Sequence, residues 1–116
     1  MAALTFQTTP AETHVLVALT GELDLRGAAS LDPELARIAS EPGPEVVAID
    51  MRELEFMDSS GLRSIMVADA SLRQAGRKLV LVRGRSGVQR VFAVTRMEER
   101  LSFVDEPTEI GGGAAT

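Results

Sequence analysis

The sequence has no cysteine, tyrosine or tryptophan and only one histidine, His14. Without cysteine, disulfides, iron–sulfur clusters and thiol catalysis are excluded. A single imidazole cannot form a metal site built from clustered histidines within one chain. Because four phenylalanines are the only aromatic residues, the core must be aliphatic. We therefore expect neither a metal ion nor another cofactor.

Positive charge is also scarce, with twelve Lys and Arg against seventeen Asp and Glu and a net charge of −5. Nucleic acid or an anionic membrane surface would require a basic face, so we expect neither as a partner and expect proteins instead. No apolar run approaches the roughly 20 residues that span a bilayer. The beginning of the chain also lacks the pattern of a secretory signal, which makes the cytoplasm the expected location.

Apolar runs alternate with apolar-periodic runs along the 116 residues, a length that suits one domain. The pattern predicts strands at 4–8, 14–21, 45–50, 78–82 and 102–104. Helices are predicted from about Ser30 to before Pro42, from Ser59 to Ala75 and around Val88 to Phe92. This alternation predicts an α/β fold whose mixed, mostly parallel sheet has helices packed on one face.

The beginning of the first helix depends on Pro33. A start near Ser30 places Pro33 in the first turn, where its missing N–H costs little, so we favour that start. At the other end of the chain, the final residues "IGGGAAT" show no periodicity. We therefore assign residues 1–108 to the domain and residues 109–116 to a flexible tail.

Two serines, an aspartate and a glycine crowd the predicted helix entrance "EFMDSSGLRS", residues 55–64. One interpretation is capping, since Asp or Ser oxygens accept hydrogen bonds from the free N–H groups of a first turn. Under it, either Ser59 is the cap, or Asp58 is the cap and Ser59 the first helical residue. The other interpretation is that a hydroxyl held at this junction is attacked, phosphorylated or recognised. Asp24 follows a different strand and is either a turn residue or a neighbour of Ser59.

The sequence argues against catalysis. A serine nucleophile needs a base beside it, and His14 is predicted at the opposite end of the sheet from Ser59. Neither a G-x-S-x-G elbow nor a phosphate-binding loop with G-K-[ST] is present. A phosphoacceptor receiver domain would have paired acidic residues after its first strand and a lysine after its last, whereas Lys78 precedes a strand. We expect no enzyme.

The segments "LEFMDSSGL" (54–62) and "LTGELD" (19–24) closely resemble the two signatures of the STAS domain, named after sulfate transporters and anti-sigma factor antagonists. The short free-standing form resembles a bacterial anti-sigma factor antagonist, a regulator of transcription in stress responses. The resemblance implies that the unphosphorylated protein binds an anti-sigma factor with ATP-dependent serine kinase activity and so frees a sigma factor. It also implies that phosphorylation of Ser59 ends this binding and that a serine phosphatase restores it.

The resemblance further places partner-binding or phosphosite-neighbouring residues at Asp24, Met57, Asp58, Ser60, Gly61 and Arg63. Phe56 and Met57 are expected in the core, although Met57 could also serve as an adaptable contact. Gly61 is a poor helix former, so it suggests close approach by a partner backbone. Arg63 stands where the family frequently has a small residue. The alternative function is a STAS interaction module of a transporter or sensory complex that is not regulated by phosphorylation.

Overall fold

The computed structural model describes residues 2–110. The strands are β1 (Thr5–Pro10), β2 (His14–Leu23), β3 (Val46–Met57), β4 (Lys78–Val82) and β5 (Ser102–Val104). The helices are α1 (Leu25–Ser40) after β2, α2 (Ser59–Gln74) after β3 and α3 (Ser86–Val94) after β4. Short 3₁₀ turns at Met97–Glu99 and Pro107–Glu109 flank β5.

The five strands form one sheet in the order β1-β2-β3-β4-β5. A three-residue connection turns the chain back on itself between β1 and β2, so this pair is antiparallel. Helices or helical turns connect the later strands, and each of those pairs is parallel. The predicted mixed, mostly parallel sheet is confirmed. Because parallel strands point the same way, α1 and α2 both begin at the carboxyl end of the sheet.

The main core lies between one face of the sheet and all three helices, as predicted. Its residues are aliphatic apart from Phe92, and alternate positions of each central strand contribute to it. Its strand members include Val17, Leu19, Leu23, Val47, Ile49, Met51, Leu79 and Leu81; its helix members include Leu31, Leu35, Ile38, Ile65, Leu72 and Phe92. The alternation follows from the pleat of a strand, which sends successive side chains to opposite faces.

The opposite face of the sheet is covered in part by the segment after β5. Ile110 is buried against Ala48, Val80 and Val82. Arg52 reaches Glu106 at 3.1 Å and tethers this segment to β3. Ile110, which belongs to the predicted tail, therefore packs on the domain, whereas Glu109 is exposed and accepts from the backbone N–H groups of Asp105 and Glu106. The rest of that tail, 111–116, lies outside the described residues.

Helix α1 begins at Leu25, so the predicted start near Ser30 is wrong. The carboxylate of Asp24 caps the helix by accepting from the backbone N–H of Gly27 at 2.9 Å. Pro33 consequently lies well inside the helix. It removes the N–H that would bond to the carbonyl of Ala29, but both residues are exposed, so water can reach that carbonyl.

Strand β3 is twice as long as predicted, since it continues beyond Asp50 to Met57. The polar residues Arg52, Glu53 and Glu55 interrupt the apolar pattern, so the sequence does not predict a strand over this half. The structure keeps it extended by pairing it with β2, through register shifts, as far as Leu23 opposite Met57. Strand β2 likewise runs two residues past its predicted end at Gly21. Pairing between distant segments thus overrides the local pattern.

Candidate functional site at the beginning of helix α2

The beginnings of α1 and α2 lie side by side because the strands before them end side by side. Leu23, the last residue of β2, pairs with Met57, the last residue of β3. The backbone N–H of Asp58 also donates to the carbonyl of Leu23, at 3.4 Å. Asp24 and Ser59 therefore lie at the same carboxyl end of the sheet, as expected. Sites in open α/β sheets commonly form at this edge.

An aspartate caps each of the two helices. Asp58 Oδ1 accepts from the backbone N–H of Ser60 at 2.9 Å and of Gly61 at 3.3 Å. Asp24 holds the equivalent position in α1. Of the interpretations left open by the sequence, capping by Asp58 is confirmed and capping by Ser59 is wrong. Asp24 is thus a helix cap, and its predicted role beside the phosphorylation site stays a prediction.

Ser59 is the first residue of α2, and it is exposed. No side-chain hydrogen bond involves its hydroxyl among the described residues. The hydroxyl lies at the positive end of the helix dipole, where an added anion is tolerated. A modification of Ser59 would therefore leave the cap, and with it the beginning of the helix, in place.

Gly61 is buried beneath the end of β2, and the close approach comes from its own chain. A Cβ atom at this position would lie 2.6 Å from Leu23 Cγ, 2.7 Å from the Leu23 carbonyl oxygen and 2.8 Å from Met57 Cγ. These contacts account for the glycine without a partner, and the approach of a partner backbone stays a prediction. The small size of Gly61 lets α2 begin directly against the paired strand ends.

The remaining predicted site residues differ in accessibility. Arg63 is exposed and Ser60 is half-buried. Met57 is only 3% exposed and belongs to the core, so almost none of its side chain lies at the surface. Phe56, which was expected in the core, is 47% exposed. A register shift near Glu22 and Phe56 breaks the alternation that the sequence pattern assumed.

The arrangement presents a hydroxyl, and the single histidine of the chain lies far from it. His14 begins β2, whereas Ser59 follows the strand end that pairs with the last residue of β2. The two residues are separated by the length of a ten-residue strand, about 30 Å. Within residues 2–110, no three acidic or histidine side chains lie close enough to hold a metal ion. In the same part of the chain, no helix combines the length and apolar character needed to cross a bilayer.

Comparison with known proteins identifies the family to which this fold and site belong. The family model described as "Mlab, STAS domain" matches residues 6–105. The chain therefore belongs to the STAS domain family. One relative is the anti-sigma-B factor antagonist of Listeria monocytogenes, which is 29% identical over 102 residues, covering 88% of this chain and 89% of the relative.

Solved structures share the fold. A crystal structure of an anti-sigma factor antagonist from Mycobacterium paratuberculosis superposes with a TM-score of 0.83 at 17% identity, covering 98% of this chain and 96% of the other. The unphosphorylated form of the anti-sigma factor antagonist SpoIIAA gives a TM-score of 0.81 at 19% identity, with coverages of 97% and 98%. At these identities the superpositions establish the common architecture.

Proposed function

We propose that this protein is an anti-sigma factor antagonist controlled by phosphorylation of Ser59. Unphosphorylated, it binds an anti-sigma factor that is also an ATP-dependent serine kinase, and a sigma factor is released. Phosphorylation ends the binding, and a serine phosphatase restores it. The protein would act in the cytoplasm as a regulator of transcription rather than as an enzyme, with stress responses as the expected setting.

The observation that carries the proposal is the exposed, unbonded hydroxyl of Ser59 beside the Asp58 cap. A kinase must reach its acceptor hydroxyl, and a switch must alter the surface without unfolding the protein. Ser59 meets both requirements because Asp58, not Ser59, caps the helix. The naming of the Listeria relative as an antagonist supports the partner class. Phosphorylation has support in SpoIIAA, whose structure is known in both unphosphorylated and phosphorylated forms.

The switch follows from the properties of phosphate. The modification adds about −1.5 to −2 charges and three acceptor oxygens. The positive end of α2 accommodates this charge within the protein, so the fold should persist. The effect then falls on the partner, whose surface must accommodate a phosphate next to the carboxylate of Asp58 instead of a small neutral hydroxyl.

The direct test incubates the purified protein with each candidate anti-sigma factor kinase of the same genome and Mg–ATP. We expect one phosphate, mapped by mass spectrometry to the peptide containing "MDSSGLR". Ser59→Ala should bind the kinase but remain unmodified. Ser59→Asp should bind more weakly, by a partial amount because aspartate carries less charge than phosphate.

Ser86→Asp provides the matched control. Ser86 is also an exposed serine at the first position of a helix, α3, but it lies outside the candidate site. We expect this variant to bind the kinase like the parent protein. Phosphate on Ser60 or Ser64, or full binding by Ser59→Asp, would contradict the assignment to Ser59. If no candidate kinase binds, the proposed function itself fails.

A further inference from the structure

A groove of about 390 Å³ runs between α1 and α2 on the surface of the helical layer. Its lining is largely apolar or small, with Leu25, Ala28, Leu35, Ser64, Val67 and Ala68 among the contributing residues. We call this surface the α1–α2 groove. It begins beside the candidate site, because Ser60 and Arg63 also line it.

Two large apolar side chains on the groove are exposed to solvent. Leu25 is 72% exposed and Val67 is 55% exposed. Among the described residues only two other large hydrophobic side chains, Phe56 and Val94, are exposed to a comparable degree. Apolar side chains that gather at a concave surface mark an interaction site more strongly than scattered ones do.

The spacing of the lining residues fits a third helix. Leu25, Ala29, Asp32 and Ala36 follow one another on α1 at intervals of four, three and four residues. The stripe on α2 has the same intervals and consists of Ser60, Ser64, Val67 and Ser71. Each stripe is straight along its helix and rises about 16 Å over eleven residues, or three turns. An amphipathic helix matches such a groove through its own three- and four-residue spacing.

The rims of the groove carry one unpaired charge of each sign. Asp32 contributes from α1 and Arg63 from α2, and neither forms a salt bridge within residues 2–110. Most other charges on the same helices are paired, as in Arg37 with Glu34 and Arg73 with Asp69, although Arg26 of α1 forms no salt bridge within the described residues either. A complementary helix would present a basic side chain to Asp32 and an acidic one to Arg63.

We propose that the α1–α2 groove binds an amphipathic helix of the anti-sigma factor, an inference that rests on the proposed function for the identity of the partner. Binding in this groove also explains how a phosphate on Ser59 would weaken the complex. Ser59 and Arg63 are four residues apart on α2, so a phosphate on Ser59 can pair with the Arg63 guanidinium. Once Arg63 is paired with the phosphate, it is no longer available to the acidic side chain of the partner helix.

The first experiment uses a designed probe, so it does not depend on a natural partner. The probe is a hydrocarbon-stapled helix of fourteen residues with Leu and Ala on one face, Arg placed toward Asp32 and Glu placed toward Arg63. Fluorescence anisotropy measures its affinity. We expect Val67→Asp and Leu25→Asp to weaken binding at least about tenfold, as for central apolar contacts in interfaces. Val94→Asp, at a position that is 69% exposed on α3, should bind like the parent.

Charge reversal tests the orientation of the helix. Asp32→Arg combined with Arg63→Glu should bind the original probe weakly and should regain affinity for a probe with Arg and Glu exchanged. Thermal unfolding followed by circular dichroism confirms that each variant is folded, which the exposure of these positions favours. No measurable binding of the original probe, or equal binding by Val67→Asp and the parent, overturns the inference.

The second experiment uses the anti-sigma factor that binds in the test of the proposed function. In this complex, Val67→Asp should weaken binding at least about tenfold, and Ser59→Asp should weaken it less when Arg63 is replaced by Gln. If the factor binds the parent and Val67→Asp equally, the groove inference fails while the proposed function stands. Sedimentation supplies the last check: a dimer that Val67→Asp dissociates would make a second copy the occupant and overturn the inference.

Discussion

The two ends of the sheet are stabilised in different ways. At the amino end, Arg77 donates to the carbonyls of Ile38, Glu41 and Pro44 at 2.7 to 3.1 Å. Side chains there link α1, β1 and the loop after α1. At the carboxyl end, Asp24 and Asp58 bond only to backbone groups within the first turn of their own helices.

The two ends also differ in which side chains are already hydrogen-bonded within the protein. Glu34 at the amino end accepts from Thr8 at 2.6 Å and from Arg37 at 2.9 Å, so these side chains are used in stabilising the fold. Ser59 and Arg63 at the carboxyl end have no such partners among the described residues. Helix caps of short range stabilise the beginnings of α1 and α2 and leave the surface there exposed, whereas the ends of β4 and β5 are linked by the Arg83–Asp105 ion pair. The amino end therefore uses its polar side chains to join separate elements, whereas the side chains of Ser59 and Arg63 at the beginning of α2 stay exposed.

Gly61→Ala should give the largest loss of stability at the carboxyl end. The added methyl group would overlap Leu23 and Met57, so we expect a loss of about 2–3 kcal/mol in the free energy of unfolding. This loss should outweigh the gain of up to about 1 kcal/mol in helix propensity. Urea denaturation measures it. Gly87→Ala is the control, because no atom of another element lies within 4 Å of its added Cβ. Equal stabilities of the two variants would contradict the close approach at Gly61.

Arg77→Ala should destabilise the amino end by about 1–3 kcal/mol, because three carbonyls lose a charged donor. Arg77→Lys should recover only part of this, since an ammonium group lacks the fork of donors. Arg63→Ala provides the contrast at the carboxyl end and should change stability by less than about 0.5 kcal/mol. Denaturation of all three variants under one condition tests the comparison, and similar losses for Arg77→Ala and Arg63→Ala would break it.

Asp58→Ala should cost about 0.5–2 kcal/mol through loss of the helix cap, whereas Asp58→Ser should stay close to the parent because serine also caps well. Ser59→Ala should have almost no effect on stability, since the Ser59 hydroxyl makes no bond within the described residues. Thermal unfolding measured by calorimetry checks the series. A larger loss for Ser59→Ala than for Asp58→Ala would mean that the cap has been assigned to the wrong residue.

Glu34→Gln should have the smallest effect on the free energy of unfolding, and that effect should depend on pH. The hydrogen bonds from Arg37 and Thr8 lower the pKa of Glu34 from 4.5 to about 2. The ionised group therefore stabilises the fold above pH 4.5, and this contribution is lost as the pH falls toward 2. Between those values the parent should lose more stability than Glu34→Gln in urea denaturation. Parallel stability curves for the two proteins would show that Glu34 does not contribute in this way.

Features that depend on neighbouring residues were predictable from the sequence. The aliphatic composition and the alternation of strands and helices gave the correct fold class. Asp58 is predictable as a candidate cap because capping involves only the next three residues. The common edge of Asp24 and Ser59 followed from the rule that parallel strands end together.

The sequence alone determined the alternating elements and the edge of the sheet where Ser59 lies, and it narrowed the cap of α2 to Ser59 or Asp58. Only the tertiary structure decided that β3 continues to Met57, that Phe56 is exposed, and that Gly61 packs beneath Leu23. Each of these features depends on the pairing of β2 with β3, whose partners are more than thirty residues apart in the chain. Local patterns carry no information about such contacts, because register and close packing arise only when distant segments meet.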